Sequence, residues 1–382
     1  MRVAITTHFP KDPSAPRGGV EAVSVSLVKG LTRFDDLEVH VVTLDIETKR
    51  ASESAWEGAT IHRLPGEKGS ALLRAIKTER RLVSEHLMES APDLVHAHDT
   101  YGLMVRGLKI PRVFTIHGFI YGDTLVSGKK WPWLRSKIWK WFETRAWADQ
   151  PHIISISPYV RERLAGISTG VIHDIDNPIS EAFFEIERRE RRGVIFSAAV
   201  ISPRKNTLSL VDAFGQVLKE CPFAELRLAG SVVEPRYGQL VEDRIKRYGI
   251  KDRVAILGRI GTDEIKRELA QASVFALVSL EENSPMGIEE AMAAGVPVVT
   301  SNRCGMPYMV RHGETGYLVN PLSLKEVALR LTQLLEDDPH RQKMGEKGKA
   351  VAHERFHPEA VARRTREVYY QVLDRTASKD RT

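Results

Sequence analysis

Cysteine is nearly missing from this chain: Cys221 and Cys304 are the only two among 382 residues. Two cysteines make no disulfide framework, so a reducing, cytoplasmic setting is expected, each thiol serving as a small buried side chain. No apolar run approaches the roughly 20 residues of a membrane-spanning helix, and Met1 leads directly into strand-like residues 3–7, so no signal peptide is expected. An excess of one charge is missing too. Lys and Arg number 56 against 50 Asp and Glu, and the net charge of +6 is spread evenly, so neither half is a nucleic-acid-binding domain by charge alone. There is no Gly-x-x-x-x-Gly-Lys-Ser/Thr loop, no Gly-x-Gly-x-x-Gly run after a strand and no Gly-x-Ser-x-Gly elbow. These absences argue against a P-loop NTPase, ordinary dinucleotide binding and an α/β-hydrolase. His96 and His98 resemble a metal pair, but no Cys or carboxylate cluster completes it, so no metal is expected.

What is present is a repeated alternation. Short β-branched runs alternate with helical patterns along the whole chain, which predicts parallel sheets covered by helices. The length favours two domains. Asn177-Pro178 and the charged stretch 187–192 interrupt the alternation, after which it restarts. The expected domains are 1–180 and 181–356, with an amphipathic helix over 357–376 returning to the first. The expected fold class is α/β: two doubly wound, Rossmann-like domains facing across a cleft, where such folds bind ligands at strand C-terminal ends.

Residues 281–300 carry the most chemistry. Glu282 precedes a predicted helix, with Ser284 as its cap and Pro285 as its first residue. The N–H groups of Met286, Gly287 and Ile288 would then offer an anion site, and Glu290 lies about one and a half turns further on. Two carboxylates flanking a phosphate site suit a ligand with hydroxyls at both ends of a pyrophosphate, such as a nucleotide-sugar. In residues 197–206 a strand runs into Arg204 and Lys205 just before a helix, with Asn206 as its cap; adjacent cations there can hold a pyrophosphate. The loop 8–19 ends in Gly18-Gly19 ahead of a helix, which permits close backbone approach to a phosphate or sugar, and which alone is equally a surface loop. His117 ends a buried strand, where its imidazole or carbonyl can meet sugar hydroxyls or serve structure alone.

Taken in order, these segments resemble the GT-B retaining glycosyltransferases of family 4, the group-1 glycosyl transferases. The resemblance rests on Gly18-Gly19-Val20-Glu21, Thr115-Ile116-His117-Gly118, Pro203-Arg204-Lys205, Leu228-Ala229-Gly230 and Leu257-Gly258-Arg259. It continues through Glu282-(seven residues)-Glu290-Ala-Met-Ala-Ala-Gly and His312-Gly313-Glu314-Thr315-Gly316. It implies a donor site in the second domain: Glu290 on the ribose, Arg204 and Lys205 on the diphosphate, and the backbone of Arg259 and Ile260 at the base. Gly230 belongs to the same donor-binding set. Glu282 is implied at the sugar, the amides of residues 286–288 at the sugar or the distal phosphate, His117 beside the sugar ring, and Gly19 at the diphosphate. The implied reaction moves a sugar from a UDP- or GDP-sugar to a glycan, lipid-linked or small-molecule acceptor with retention, without a metal or other cofactor. Polysaccharide or glycoconjugate biosynthesis is the implied setting. Asn283-Ser284-Pro285 departs from the family's usual Gly-Phe-Gly, which makes it the expected determinant of donor choice.

Two other classes compete: a GT-B epimerase or phosphorylase on the same donors, and a non-catalytic sugar-binding subunit of an assembly system. Residues 129–145 stand apart, with six basic residues, one acidic residue and interleaved tryptophans. Trp139, Phe142, Ala146 and Trp147 fall at helical spacing and are expected to pack on the sheet. Residues Lys129 to Trp133 are left as an acceptor loop or a peripheral contact with the inner face of a membrane.

Overall fold

In the computed structural model of the chain, residues 1–125 and 131–379 are described. The chain divides into two compact units, Met1–Pro178 with Pro358–Thr382, and Ile179–His357.

The first unit runs β1 (Arg2–Thr6), α1 (Gly19–Leu31), β2 (Glu38–Asp45), β3 (Ser52–Trp56), β4 (Ala59–Pro65), α2 (Ala71–Ile76), α3 (Thr78–Ser90), β5 (Leu94–His98) and α4 (Tyr101–Met104). It continues with β6 (Arg112–Ile116), α5 (Ile120–Leu125), α6 (Pro132–Ala148), β7 (His152–Ser155), α7 (Pro158–Leu164) and β8 (Val171–Asp174). Its sheet has the order β3-β4-β2-β1-β5-β6-β7-β8, parallel throughout except for the β3–β4 pair. Strands buried on both faces need apolar side chains at successive positions, and Val3, Ala4 and Ile5 of β1 are all buried.

The second unit runs β9 (Val194–Ala198), α8 (Thr207–Glu220), β10 (Glu225–Ala229), α9 (Pro235–Tyr248), β11 (Val254–Gly258), α10 (Thr262–Gln271) and β12 (Val274–Leu277). Then come α11 (Met286–Ala293), β13 (Val298–Ser301), β14 (Gly316–Val319), α12 (Leu324–Glu336) and α13 (Asp338–Arg355). All pairs are parallel in the order β11-β10-β9-β12-β13-β14. Written by sequence this is 3-2-1-4-5-6, the doubly wound order, whose direction reverses between its first and fourth strands. Cores form on both faces, Leu210, Phe214 and Leu331 on one and Phe275, Ile288 and Met292 on the other.

The last helix, α14 (Pro358–Lys379), packs within the first unit against α1. Gly30 permits the close crossing: a Cβ there would lie 2.7 Å from the Pro358 carbonyl oxygen and 2.9 Å from the Ala362 Cβ. Arg366 holds Asp36 at 2.7 Å, and the buried Tyr369 hydroxyl meets His96 Nδ1 at 2.7 Å.

Candidate active site

In the second unit the reversal point lies between β9 and β12, so the loops that follow these strands leave the same sheet edge side by side. Arg204 and Lys205 belong to the first loop, Glu282 to the second. Lys205 Nζ forms an ion pair with Glu282 Oε1, and Arg204 reaches the same oxygen at 3.3 Å. Arg204 also donates to the Glu281 carbonyl at 3.1 Å, while its own carbonyl accepts from the Leu280 amide. The two loops are thereby tied together along their length. Two cations face one buried carboxylate beside the start of α11, where the first amides have no intrahelical carbonyl to bind.

The Glu282 segment is held from a third side. The Gly305 amide donates to the Glu282 carbonyl at 2.8 Å, and a Cβ on Gly305 would overlap the Asn283 carbonyl. Only glycine permits that approach. Gly230, at φ 148°, plays a similar part after β10: its amide reaches the Gly258 carbonyl at 2.7 Å, and a side chain there would strike the Ala199 carbonyl. Arg259 and Ile260 follow β11 at the same edge, Arg259 exposed and Ile260 half-buried.

Three details differ from the sequence expectation. Ser284 does not cap α11; Pro285 occupies that position, and the Ser284 hydroxyl instead donates to Glu289 at 2.7 Å. Glu289 is fully buried, so its carboxylate takes the hydroxyl that the helix end would have used. Asn206 sits at the N-cap of α8 in the left-handed region (φ 56°) without capping it. Its amide nitrogen bridges the Val278 and Pro321 carbonyls at 3.2 and 2.8 Å, tying β12's exit to the loop after β14. The Ile288 amide is spent on the Pro285 carbonyl at 3.0 Å, so within the expected trio Met286 and Gly287 are the outermost donors. Gly287 fits tightly, since a Cβ would lie 3.0 Å from the Phe275 ring.

Glu289 was overlooked in the sequence, although its signal was present. The apolar neighbours Ile288, Ala291, Met292 and Ala293 mark a helix covered on most sides, where adjacent glutamates about 100° apart do not both reach solvent freely. Glu290 is half-buried, and burial pushes its carboxyl up to about 7.

In the first unit His117 follows β6. Its Nδ1 lies 3.0 Å from Asn177 Oδ1 and its Nε2 2.8 Å from His98 Nδ1, while its amide donates to Asp99 at 2.9 Å. The His98 ring lies tilted against His96, with centroids 4.4 Å apart, and His96 bonds Thr115 and Tyr369. Burial lowers all three imidazoles, His96 to about 3, so they are neutral near pH 7. Direct imidazole contact with a sugar would therefore exchange one of the existing His117 bonds. Gly19 opens α1 and is exposed, and Gly18 before it is extended (φ −163°) with open space where a side chain would go. A cavity of about 830 Å³, lined in part by Lys109, Arg112, His152 and Arg375, lies at the opposite, N-terminal ends of β6–β8. It is away from every strand-end loop named above.

Among the described residues, no group of three or more His, Cys, Asp or Glu side chains could hold a metal ion.

Two doubly wound parallel-sheet units, one with a cation–carboxylate cluster at its reversal point, place the molecule in the GT-B class. Sucrose-phosphate synthase from Thermosynechococcus elongatus shares the fold with a TM-score of 0.79 at 19% identity, covering 98% of this chain and 99% of that one. The Anabaena protein HepE, solved with UDP-glucose, matches with a TM-score of 0.71 at 18% identity over 99% and 100% of the two chains. Residues 178–351 match the family described as glycosyl transferases group 1, and residues 17–182 match glycosyltransferase family 4. The chain belongs to these glycosyltransferases. N-acetyl-alpha-D-glucosaminyl L-malate synthase of Bacillus anthracis is 32% identical over 169 residues. That match spans 44% of this chain and 43% of the relative, less than half of either.

Proposed function

We propose that the protein is a retaining glycosyltransferase that takes a sugar from a UDP- or GDP-sugar and passes it to a hydroxyl of a glycan, lipid-linked or small-molecule acceptor. The observation that carries this reading is the shared contact of Arg204 and Lys205 with Glu282 beside the start of α11. A diphosphate is the anion whose charge matches two adjacent cations and a helix end. In the proposed complex Arg204, Lys205 and the amides of Met286 and Gly287 receive the diphosphate. Glu282 takes hydroxyls of the transferred sugar and Glu290 those of the ribose. The backbone at Gly230, Arg259 and Ile260, at the neighbouring strand ends, contacts the nucleoside. The roles given to His117 and Gly19, in the other unit, belong to the same proposal.

In the proposed step the acceptor oxygen bonds to the anomeric carbon as the bond from that carbon to the diphosphate oxygen breaks. The acceptor proton passes to the departing diphosphate, and attack on the face it leaves retains the configuration. The cations stabilise charge that grows on the leaving group, the kind of electrostatic help worth about 10²- to 10³-fold per donor. The bound pair of HepE and UDP-glucose supports a nucleotide-sugar as the donor class.

The test is product formation by the purified protein, with the anomeric configuration read by NMR. Glu282→Ala and Lys205→Ala should each lower turnover about 100-fold or more. Unchanged turnover would remove these residues from the site, and an inverted product would remove retention. Donor incubated without acceptor should stay unaltered; interconversion of donors would favour an epimerase.

A further inference from the structure

Helix α6 is apolar on two opposite faces, and among the described residues only one of them is packed against the rest of the unit. Its inward stripe is Trp139, Ala146 and Trp147, all buried, as the sequence spacing implies, with Phe142 half-buried beside them. The same side is anchored by polar bonds. Glu143 accepts the Ile120 and Tyr121 amides at 2.9 and 2.8 Å, and the Ser136 hydroxyl donates to the Tyr121 carbonyl. The opposite stripe follows the spacing 134, 138, 141, 145. Leu134, Ile138 and Trp141 on it are between 43% and 49% exposed. Trp133 at 53% in the first turn and Trp131 at 66% just before the helix extend the patch, and Leu125 ends α5 at 52%. Core packing does not account for four large exposed apolar side chains on one helix, with Trp131 exposed just before it. Lys129 and Lys130, part of the loop singled out in the sequence, lie outside the described residues.

The cations on this face are arranged with the aromatics. Arg145 lies over the Trp141 ring at 3.9 Å and Lys137 over Trp133 at 5.6 Å. Arg135 and Lys140 are also exposed, and none of the four forms an ion pair among the described residues. The single acidic residue of the helix, Glu143, faces inward. A second copy of this chain docking on a two-fold axis would bring cations against cations. An anionic bilayer answers both features: tryptophan favours the headgroup level, aliphatic side chains enter just below it, and lysine and arginine reach up to phosphate. Among the described residues no helix is long and apolar enough to cross a membrane, so the contact is peripheral.

We propose that the outer face of α6, from Trp131 to Arg145, docks the protein onto an anionic lipid bilayer. The claim stands apart from the transfer reaction, since it needs neither donor nor acceptor. The full chain is to be floated with vesicles of phosphatidylcholine alone and of phosphatidylcholine containing one part in three of phosphatidylglycerol. Binding at least ten-fold stronger to the anionic vesicles, and weakened by salt, is expected. The pair Ile138→Ser with Trp141→Ser and, separately, the pair Lys137→Glu with Lys140→Glu should each lower it at least ten-fold while leaving the melting temperature unchanged. Equal partition on both vesicle types, or variants that bind like the parent chain, would overturn the proposal. So would concentration-dependent self-association without lipid that the same substitutions abolish, because a second copy would then be the occupant.

Discussion

Glu290, proposed to meet the ribose, is perturbed by burial alone. Its carboxyl is raised to about 7 because burial disfavours the charged form, so near neutrality it is only partly ionised. Two ribose hydroxyls are donors and need an ionised carboxylate to accept them. Donor binding should therefore draw Glu290 toward its ionised form and release a proton. Below about pH 7 affinity for an intact nucleotide-sugar should fall, approaching ten-fold per unit, since its diphosphate diester does not titrate there. Calorimetry from about pH 5.5 to 8, in buffers of different ionisation enthalpy, measures both quantities. The slope should disappear in Glu290→Gln. A flat affinity in the parent chain, or the same slope in the variant, would separate Glu290 from the ribose. At this scale residue type singled out Glu282, Arg204 and Lys205, and the structure brings the three together. The sequence misled where a buried group competes for the same hydrogen bond, as Glu289 does for Ser284.

At the scale of elements, the α1–α14 crossing depends on a missing side chain. Gly30→Val would push atoms into the Pro358 carbonyl and Ala362, and overpacking of this kind costs about 1–3 kcal/mol. The melting temperature should fall by several degrees, with donor affinity in the second unit retained. An unchanged melting temperature would mean that the helices separate without cost. Most helices and strands were legible because their apolar periodicity is strong, α8 and β9 among them. The β3–β4 hairpin was not, since Ser52–Trp56 is an exposed edge strand without an apolar run and turns through Glu57-Gly58, both at positive φ. The helical stretch 71–90 divides into α2 and α3 at Lys77, where ψ is −87°. Nothing in the residue types marks that break. In α6 periodicity identified the buried stripe but was silent on the second one, because apolar residues on both sides leave no contrast to read.

On the scale of the molecule, the site depends on a strand order that no local pattern reveals. Lys205 and Glu282 lie 77 positions apart, and they meet because β12 lies directly beside β9. Parallel alternation foretold a sheet with loops at one edge, and the likeness to a known family supplied the pairing that composition could not. The site's central claim, that this pairing receives a nucleotide-diphosphate sugar, is tested most directly by ligand-induced stabilisation. The parent chain and Lys205→Ala should be melted with UDP-, GDP- and ADP-sugars, each of which must raise the melting temperature if it binds only the folded state. The account predicts that at least one donor stabilises the parent chain and that the same donor leaves Lys205→Ala unmoved. Equal stabilisation of both proteins, or none in either with any donor, would contradict it.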